Sequence, residues 1–281
     1  MGTWFITGAS SGLGAALARA VLDHGDNAAI SARNADHVQD LADAYPDTAL
    51  AVQLDVTDHG QVVAAVNAAT DRFGAVDVLV NNAGHGYRAA VEEASVDEVD
   101  GLFATNFFGP VELIKQVLPQ MRQRRSGTIV NVSSIGAPRS NPASGYYTAT
   151  KAALEGMSDA LNREVAPLGI RVIVVEPGAF RTDFSGRSLM QSRTAIDDYA
   201  DTAGKRRKEN DETHGTQPGD PDRAAQVIIA TVEGERAPFR LLLGTDAVRI
   251  VRDELRGRIE EIDAWAHVSV TTDFPSEEAH A

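Results

Sequence analysis

The chain of 281 residues contains no cysteine. Disulfides, thiolate metal sites and a cysteine nucleophile are excluded, and a reducing cytoplasm is the expected compartment. Positive charge is scarce as well: 26 Lys and Arg stand against 40 Asp and Glu, giving a net charge of −14 and a pI near 4.9. A nucleic-acid surface wants a basic face, so no nucleic-acid partner is expected, and the acidity reads as solubility. No apolar run reaches membrane-spanning length. The opening MGTWFITGAS lacks the basic start and long apolar stretch of a secretion signal, and Ile6 stands where a myristoylation signal wants Ser or Thr. Seven scattered histidines show no paired ligand spacing, so no metal site is expected.

What the chain does have is alternation. Short apolar runs at Thr3–Thr7, Asn27–Ala32, Ala49–Leu54, Val76–Val80, Thr128–Val132, Arg171–Val175 and Phe239–Leu243 read as strands. Between them lie segments with apolar residues at helical spacing: the stretch after Gly12, Ala35–Tyr45, Asp58–Phe73, Asn106–Arg125, Tyr146–Ala166, the proline-led PDRAAQVIIATVEG and Ala247–Trp265. Strict strand–helix alternation implies a parallel sheet covered on both faces, because each parallel crossover needs a connection of helical length. The predicted fold is one α/β domain over residues 1–281, a doubly wound parallel sheet without repeat or linker. Residues 179–219 read as an inserted substrate loop or lid, whose charged stretch ADTAGKRRKENDETHG suits a helix with a solvated face. The end from 267 to 281 reads as a poorly ordered tail.

The first strand-to-helix turn is TGASSGLG. Its glycines, Gly8, Gly12 and Gly14, allow a tight turn, let the helix N-terminus approach a pyrophosphate and permit close helix–strand packing. Because the turn follows a strand and opens a helix at the first crossover, it points to dinucleotide binding.

Further along, the strand Thr128–Val132 delivers Ser133 and Ser134 to its C-terminal end. After a loop rich in Gly, Pro, Ser and Asn, a helix carries Tyr147 and Lys151 one turn apart on one face. A phenol titrates near ~10 and is a poor proton donor or base at neutral pH unless its anion is stabilised. An ammonium one turn away can do this: lowering by two to three units requires roughly 3–4 kcal/mol, reasonable for a close, partly desolvated pair. Ser134 is placed to hold a substrate oxygen. A Y-x-x-x-K pair by itself is common on helices, and its weight comes from its surroundings.

Taken together, the G-x-x-x-G-x-G turn, NNAG at Asn81–Gly84, Asn106 in TNFFG, Ser134, the Tyr147/Lys151 pair and the Pro177-Gly178 turn resemble the short-chain dehydrogenase/reductase family from Thr3 to about Thr182. The resemblance implies a seven-stranded parallel Rossmann sheet and NAD(P)-dependent interconversion of alcohols and carbonyls. It assigns Tyr147 as general acid in reduction and base in oxidation. Lys151 lowers the phenol pKa and holds the nicotinamide ribose, Ser134 orients the carbonyl, and Asn106 binds a relay water through its backbone. It also places Gly8, Ser10, Ser11, Gly12, Leu13 and Gly14 around the phosphates and adenosine ribose, and Asp55 and Val56 at the adenine. Asn81, Ala83, Gly84, Pro177 and Gly178 fall in the cofactor cleft, and Thr182 at the nicotinamide amide. A non-catalytic dinucleotide sensor and a sugar-nucleotide epimerase or dehydratase are the alternatives. The intact Ser134, Tyr147 and Lys151 set opposes the first, and the glycine spacing and lack of a larger C-terminal substrate domain oppose the second.

Cofactor choice follows from the end of the second strand. An NAD site offers an acid there for the ribose 2′-hydroxyl, whereas this strand ends in Ala32 followed by Arg33, which can pair a 2′-phosphate. NADP is therefore expected over NAD. On the substrate side, His85, Tyr87, Phe180, Phe184 and Met190 are expected to line an apolar pocket for a small carbonyl or alcohol. Apolar residues on more than one face of Asn106–Arg125 and Tyr146–Ala166, including Phe107, Phe108, Leu154 and Met157, lead to an expected homodimer or homotetramer.

Overall fold

The computed structural model describes residues 1–186, 188–208 and 215–274. In chain order its elements are β1 (Thr3–Ile6), α1 (Gly12–Asp23), β2 (Asn27–Ala32), α2 (Asp36–Ala44), β3 (Ala49–Gln53), α3 (His59–Phe73) and β4 (Val78–Asn81). Then come β5 (Gly86–Arg88), α4 (Val96–Phe103), α5 (Gly109–Arg124), β6 (Gly127–Val132), α6 (Gly145–Val165) and β7 (Ile170–Pro177). β8 (Leu189–Gln191), α7 (Pro221–Glu233), β9 (Arg240–Leu243) and α8 (Thr245–Ser269) complete the described chain. Seven strands form one sheet in the order β3-β2-β1-β4-β6-β7-β9, and every neighbouring pair is parallel. These are the seven strands expected from the sequence, each end within two residues.

The sheet is apolar on both faces, so its strands lack the in–out polarity of a half-exposed sheet. Period-two geometry sends Trp4 and Ile6 to one layer, with Leu17, Val21, Ile228 and Ile229 from α1 and α7. Phe5 points the other way, into the layer made by Val62 and Val66 of α3, Leu113 and Val117 of α5, and Leu161 of α6. Strand order reverses at β1, whose neighbours are β2 and β4, and a crevice opens there beyond the strands' carboxyl ends.

Three local features depart from expectation. The helix expected from Asn106 begins earlier, at Val96, and passes through a π turn at Ala104–Phe108 before continuing as α5. Pro110 accounts for the irregularity: it has no N–H for the carbonyl of Asn106 four residues before it. Two strands too short to show a period, β5 and β8, pair in parallel and fasten the insert to the body. Finally, α8 runs beyond Trp265 to Ser269 and ends in a 3-10 turn at Val270–Thr272; residues 275–281 of the expected tail lie outside the described residues. No helix among the described residues is long and apolar enough to cross a membrane. Of the residues that suggested self-association, Leu154 is buried and Met157 packs on the core, while Phe108 remains 59% exposed.

Candidate active site

The first crossover is built for close approach. Gly8 and Gly12 have φ of 65° and 57°, in the left-handed region. A Cβ on Gly14 would stand 2.3 Å from Asn82 Nδ2 and 2.4 Å from the Gly8 carbonyl, so α1 can lie this near the strand ends only with glycine there. Ser11 caps α1 by position, yet its side chain makes no capping hydrogen bond and no acidic residue occupies the first turn. The N–H groups and positive dipole end of a 12-residue helix therefore face the crevice without a competing side-chain acceptor. That geometry suits a pyrophosphate.

A single cleft of about 1180 Å³ runs from this turn to Tyr147. Of the expected cofactor residues, Gly8, Ser10, Ser11, Gly12, Leu13, Arg33, Asp55, Val56, Ala83, Gly84, Pro177, Gly178 and Thr182 line it. Arg33 is exposed at the end of β2, next to buried Ala32. Asp55 Oδ1 accepts from Thr57 N at 2.9 Å and Thr57 Oγ1 at 2.7 Å, a turn role that coexists with its place on the cleft wall.

Asn81 does not reach the cleft. Its amide nitrogen donates to Asn131 Oδ1 at 2.8 Å, and Asn131 donates to Ser158 Oγ, a chain that ties β4 to β6 and α6. The neighbour the sequence reading did not single out, Asn82, lines the cleft: its amide donates to the carbonyls of Thr7 and Gly8, while Thr7 Oγ1 accepts from Asn82 N and Ala83 N. This reciprocal clamp fixes the β1 and β4 turns against each other. Gly14 likewise serves packing and not the cleft wall.

Ser134, Tyr147 and Lys151 converge at the other end of the cleft. The β6 strand ends at Val132, whose carbonyl accepts from Lys151 Nζ at 2.8 Å. Ser134 Oγ accepts from Gly136 N at 3.0 Å, which fixes the hydroxyl over the turn. Burial raises the Tyr147 phenol above its ordinary value, while the hydroxyl of Ser134, hydrogen-bonded to it, and the charge of Arg88 pull it down. Burial also draws the Lys151 ammonium down to about 8, against the pull of Glu155 one turn along. The expected pull of Lys151 on the phenol is not among the causes; the Nζ is directed at Val132 and lies 5.9 Å from the ring centre. Asn106 is fully buried behind the cleft. Its side chain brackets His85, accepting from His85 N at 3.0 Å and donating to the His85 carbonyl at 2.9 Å.

The substrate side differs from the apolar pocket expected. His85, Phe180, Phe184 and Met190 line the cleft, and Phe184 stands 5.8 Å from the Tyr147 ring. Tyr87 does not: it is buried, and its hydroxyl donates to Glu98 Oε2 at 3.0 Å. Two cations, Arg88 and Arg206, line this end instead. Neither was singled out in the sequence, where nothing separates a buried arginine from a surface one. The insert is fastened by Glu93, buried at 4%, whose carboxylate pairs with Arg207 and accepts from Ala90 N and Ile196 N. Residues 209–214 of the expected charged helix lie outside the described residues; its start is a π turn at Ala200–Gly204. Away from the cleft, beside the N-terminal end of β1, His24, Asp26 and Glu233 cluster, with Asp26 held by Gly2 N at 2.7 Å and His24 Nδ1 at 3.1 Å.

The fold and this end-to-end cleft define a dinucleotide-dependent oxidoreductase scaffold, and comparison with known proteins agrees. The family described as short chain dehydrogenase matches residues 3–192. Oxidoreductase BOA17 of Botryotinia fuckeliana is 37% identical over 275 residues, covering 96% of this chain and 98% of its own. A short-chain dehydrogenase structure from Streptomyces avermitilis superposes with a TM-score of 0.91 at 43% identity, covering 97% of this chain and 100% of that one. An alcohol dehydrogenase from Thermococcus sibiricus, complexed with 5-hydroxy-NADP, has a TM-score of 0.71 at 26% identity, over 86% and 96% of the two chains. A 3-ketoacyl-(acyl-carrier-protein) reductase from Brucella melitensis, complexed with NADH, has a TM-score of 0.70 at 27% identity, over the same shares. This chain belongs to the short-chain dehydrogenase family and is an oxidoreductase of that family.

Proposed function

We propose that the protein is an NADP(H)-dependent oxidoreductase that interconverts a carbonyl and an alcohol at Ser134, Tyr147 and Lys151. The observation that carries the reading is the meeting of these three groups, Tyr147 and Lys151 buried and Ser134 half-buried, at one end of a cleft whose other end presents an uncapped helix N-terminus and Arg33. Ser10 to Leu13 would hold the pyrophosphate and Arg33 the 2′-phosphate, with Ala32 in place of the acid that would select NAD. When bound there, the dinucleotide would supply the hydride and its two electrons.

The protein's own part is the proton. Burial keeps the Tyr147 phenol protonated at neutral pH, the state a general acid needs. Its O–H is given to the carbonyl oxygen as that oxygen gains charge, while Ser134 donates a hydrogen bond to the same oxygen. The tyrosinate left behind is stabilised by nearby positive charge and reprotonated from solvent through a water held by the Asn106 backbone carbonyl, which lacks an α-helical donor because residue 110 is proline. Oxidation of an alcohol needs the phenolate first, so reduction is the direction favoured at neutral pH. A reducing cytoplasm and assembly through the faces around Phe108 complete the proposal.

The test is to follow NADPH absorbance against a panel of aldehydes, ketones, steroids and quinones. Carbonyl-dependent oxidation of NADPH, faster than that of NADH, is expected. Tight NADPH binding with flat traces across the panel would favour a sensor, and equal use of NADH would remove the role given to Arg33.

A further inference from the structure

Arg88 ends β5, opposite Gln191 of β8, and is only 9% exposed. Its Nη1 donates to the Tyr87 carbonyl at 3.3 Å, while its Nε is buried without a hydrogen-bond partner. No carboxylate among the described residues pairs with it; the groups that act on it electrostatically are Arg206 and Tyr147. An arginine removed from water without a counter-charge is costly, and a second cation on the same wall adds repulsion. Contrast Glu93 and Arg207 a short way along the insert, where a buried carboxylate has its guanidinium. Arg88 lines the cleft beside Tyr147, so the missing negative charge belongs to whatever fills that end.

We propose that the substrate carries a carboxylate close to its reacting carbonyl and that Arg88 binds it, so that the protein acts on an oxo acid in preference to a neutral ketone. A guanidinium offers a planar pair of donors that matches a carboxylate, which fixes the angle of the substrate as well as its charge. Arg206 lies on the same wall and adds to the field. Position on a strand, with Tyr87 locked to Glu98 on one side and Ser192 N donating to the Arg88 carbonyl at 3.0 Å on the other, keeps the guanidinium in place. The inference rests on the carbonyl-reductase reading above for the reaction, though not for the binding of the anion.

Two measurements on the full chain with NADPH test it. In the first, kcat/KM is measured for 2-oxohexanoate and 3-oxohexanoate beside their methyl esters. The wild type should favour one of the acids over its ester at least tenfold. Arg88→Met should bring that ratio to within about threefold of unity, and Arg88→Lys should keep part of it. Using the ratio cancels any shared loss through folding or through Tyr147. A wild-type preference for both esters, or a ratio that Arg88→Met leaves unmoved, overturns the proposal. In the second, hexanoate and hexanamide are titrated against the fluorescence of bound NADPH. Saturable quenching by hexanoate alone, lost in Arg88→Met, supports the anion site even if no carbonyl is reduced, in which case the reductase reading fails by itself. Equal responses to acid and amide, or none to either, overturn it.

Discussion

The two ends of the cleft are made differently. At the cofactor end, backbone does most of the work: glycines, a helix N-terminus and the Thr7–Asn82 clamp shape a surface that any dinucleotide phosphate can meet. At the substrate end, side chains do it: the Tyr147 phenol, the Lys151 ammonium and the Arg88 guanidinium are buried, with Arg206 half-buried on the same wall, and Tyr147 and Arg88 act on each other electrostatically. Backbone sites tolerate changes of charge at their rim, whereas a cluster of buried side chains fails when one member is lost. Substitutions at the two ends should therefore fail in different ways.

The largest effect should come from Tyr147→Phe, which removes the proton donor and keeps the ring against Phe184: turnover should fall by about two to four orders of magnitude. Lys151→Ala should lower turnover and also weaken NADPH, since the lysine is assigned a ribose contact. Normal NADPH affinity in that variant would strike the contact out.

Glu93→Gln comes next. It strips the charge from a buried ion pair and leaves Arg207, only 13% exposed at its side chain, facing a neutral amide. Breaking such a pair costs roughly 3 kcal/mol, expressed here as opening of residues 192–208. Limited proteolysis or hydrogen exchange should show faster attack on that segment, and unchanged protection would mean the pair does not hold the insert closed.

At the cofactor end Arg33→Asp should move the NADPH-to-NADH ratio of catalytic efficiencies by about ten- to a hundredfold. Because Arg33 is exposed, the change belongs at the lower end of the range for charged contacts. An unmoved ratio would show that Arg33 points elsewhere.

The pH profile separates the ends again. Lys151, drawn by burial to about 8, is charged below that pH and neutral above it, while the buried phenol stays protonated. Reduction kcat/KM should hold at neutral pH and fall about tenfold per unit above roughly 8. A profile flat to pH 10 would show that the lysine charge is not needed.

The smallest effect concerns Ala143, which takes φ of 62° just before the Tyr147 helix and whose carbonyl accepts from Ala89 N at 3.0 Å. Ala143→Gly should relieve about 0.5–1 kcal/mol of backbone strain, offset in part by extra freedom in the unfolded chain. Thermal unfolding should show a midpoint unchanged or slightly raised, and a fall of several degrees would contradict it.

The same contrast explains what could be read in the sequence. Strands buried on both faces are continuous apolar runs, and parallel strands must be separated by helices, so the seven strands of the main sheet were legible to within two residues. So was the Gly8–Gly14 turn, whose shape is written in residues that only backbone geometry explains. Asn81 and Asn82 could not be told apart, because which of two adjacent asparagines faces the cleft depends on the strand's register at its last residue. Tyr87 carried the apolar signal of a pocket residue but spends its hydroxyl on Glu98, a contact set by the path of α4. Arg88 was invisible for the opposite reason: burial of a charge is a property of the insert that covers it, and three-residue strands such as β5 and β8 carry no period to announce the pairing.

The most direct test of this division is one NADPH fluorescence titration run on wild type, Tyr147→Phe and Arg33→Asp, with turnover recorded at saturating NADPH in the same samples. The account predicts a crossing: Tyr147→Phe keeps NADPH affinity within about threefold of wild type and loses turnover, while Arg33→Asp loses affinity and keeps turnover. Near-normal turnover in Tyr147→Phe, or loss of both properties together in each variant, would contradict it.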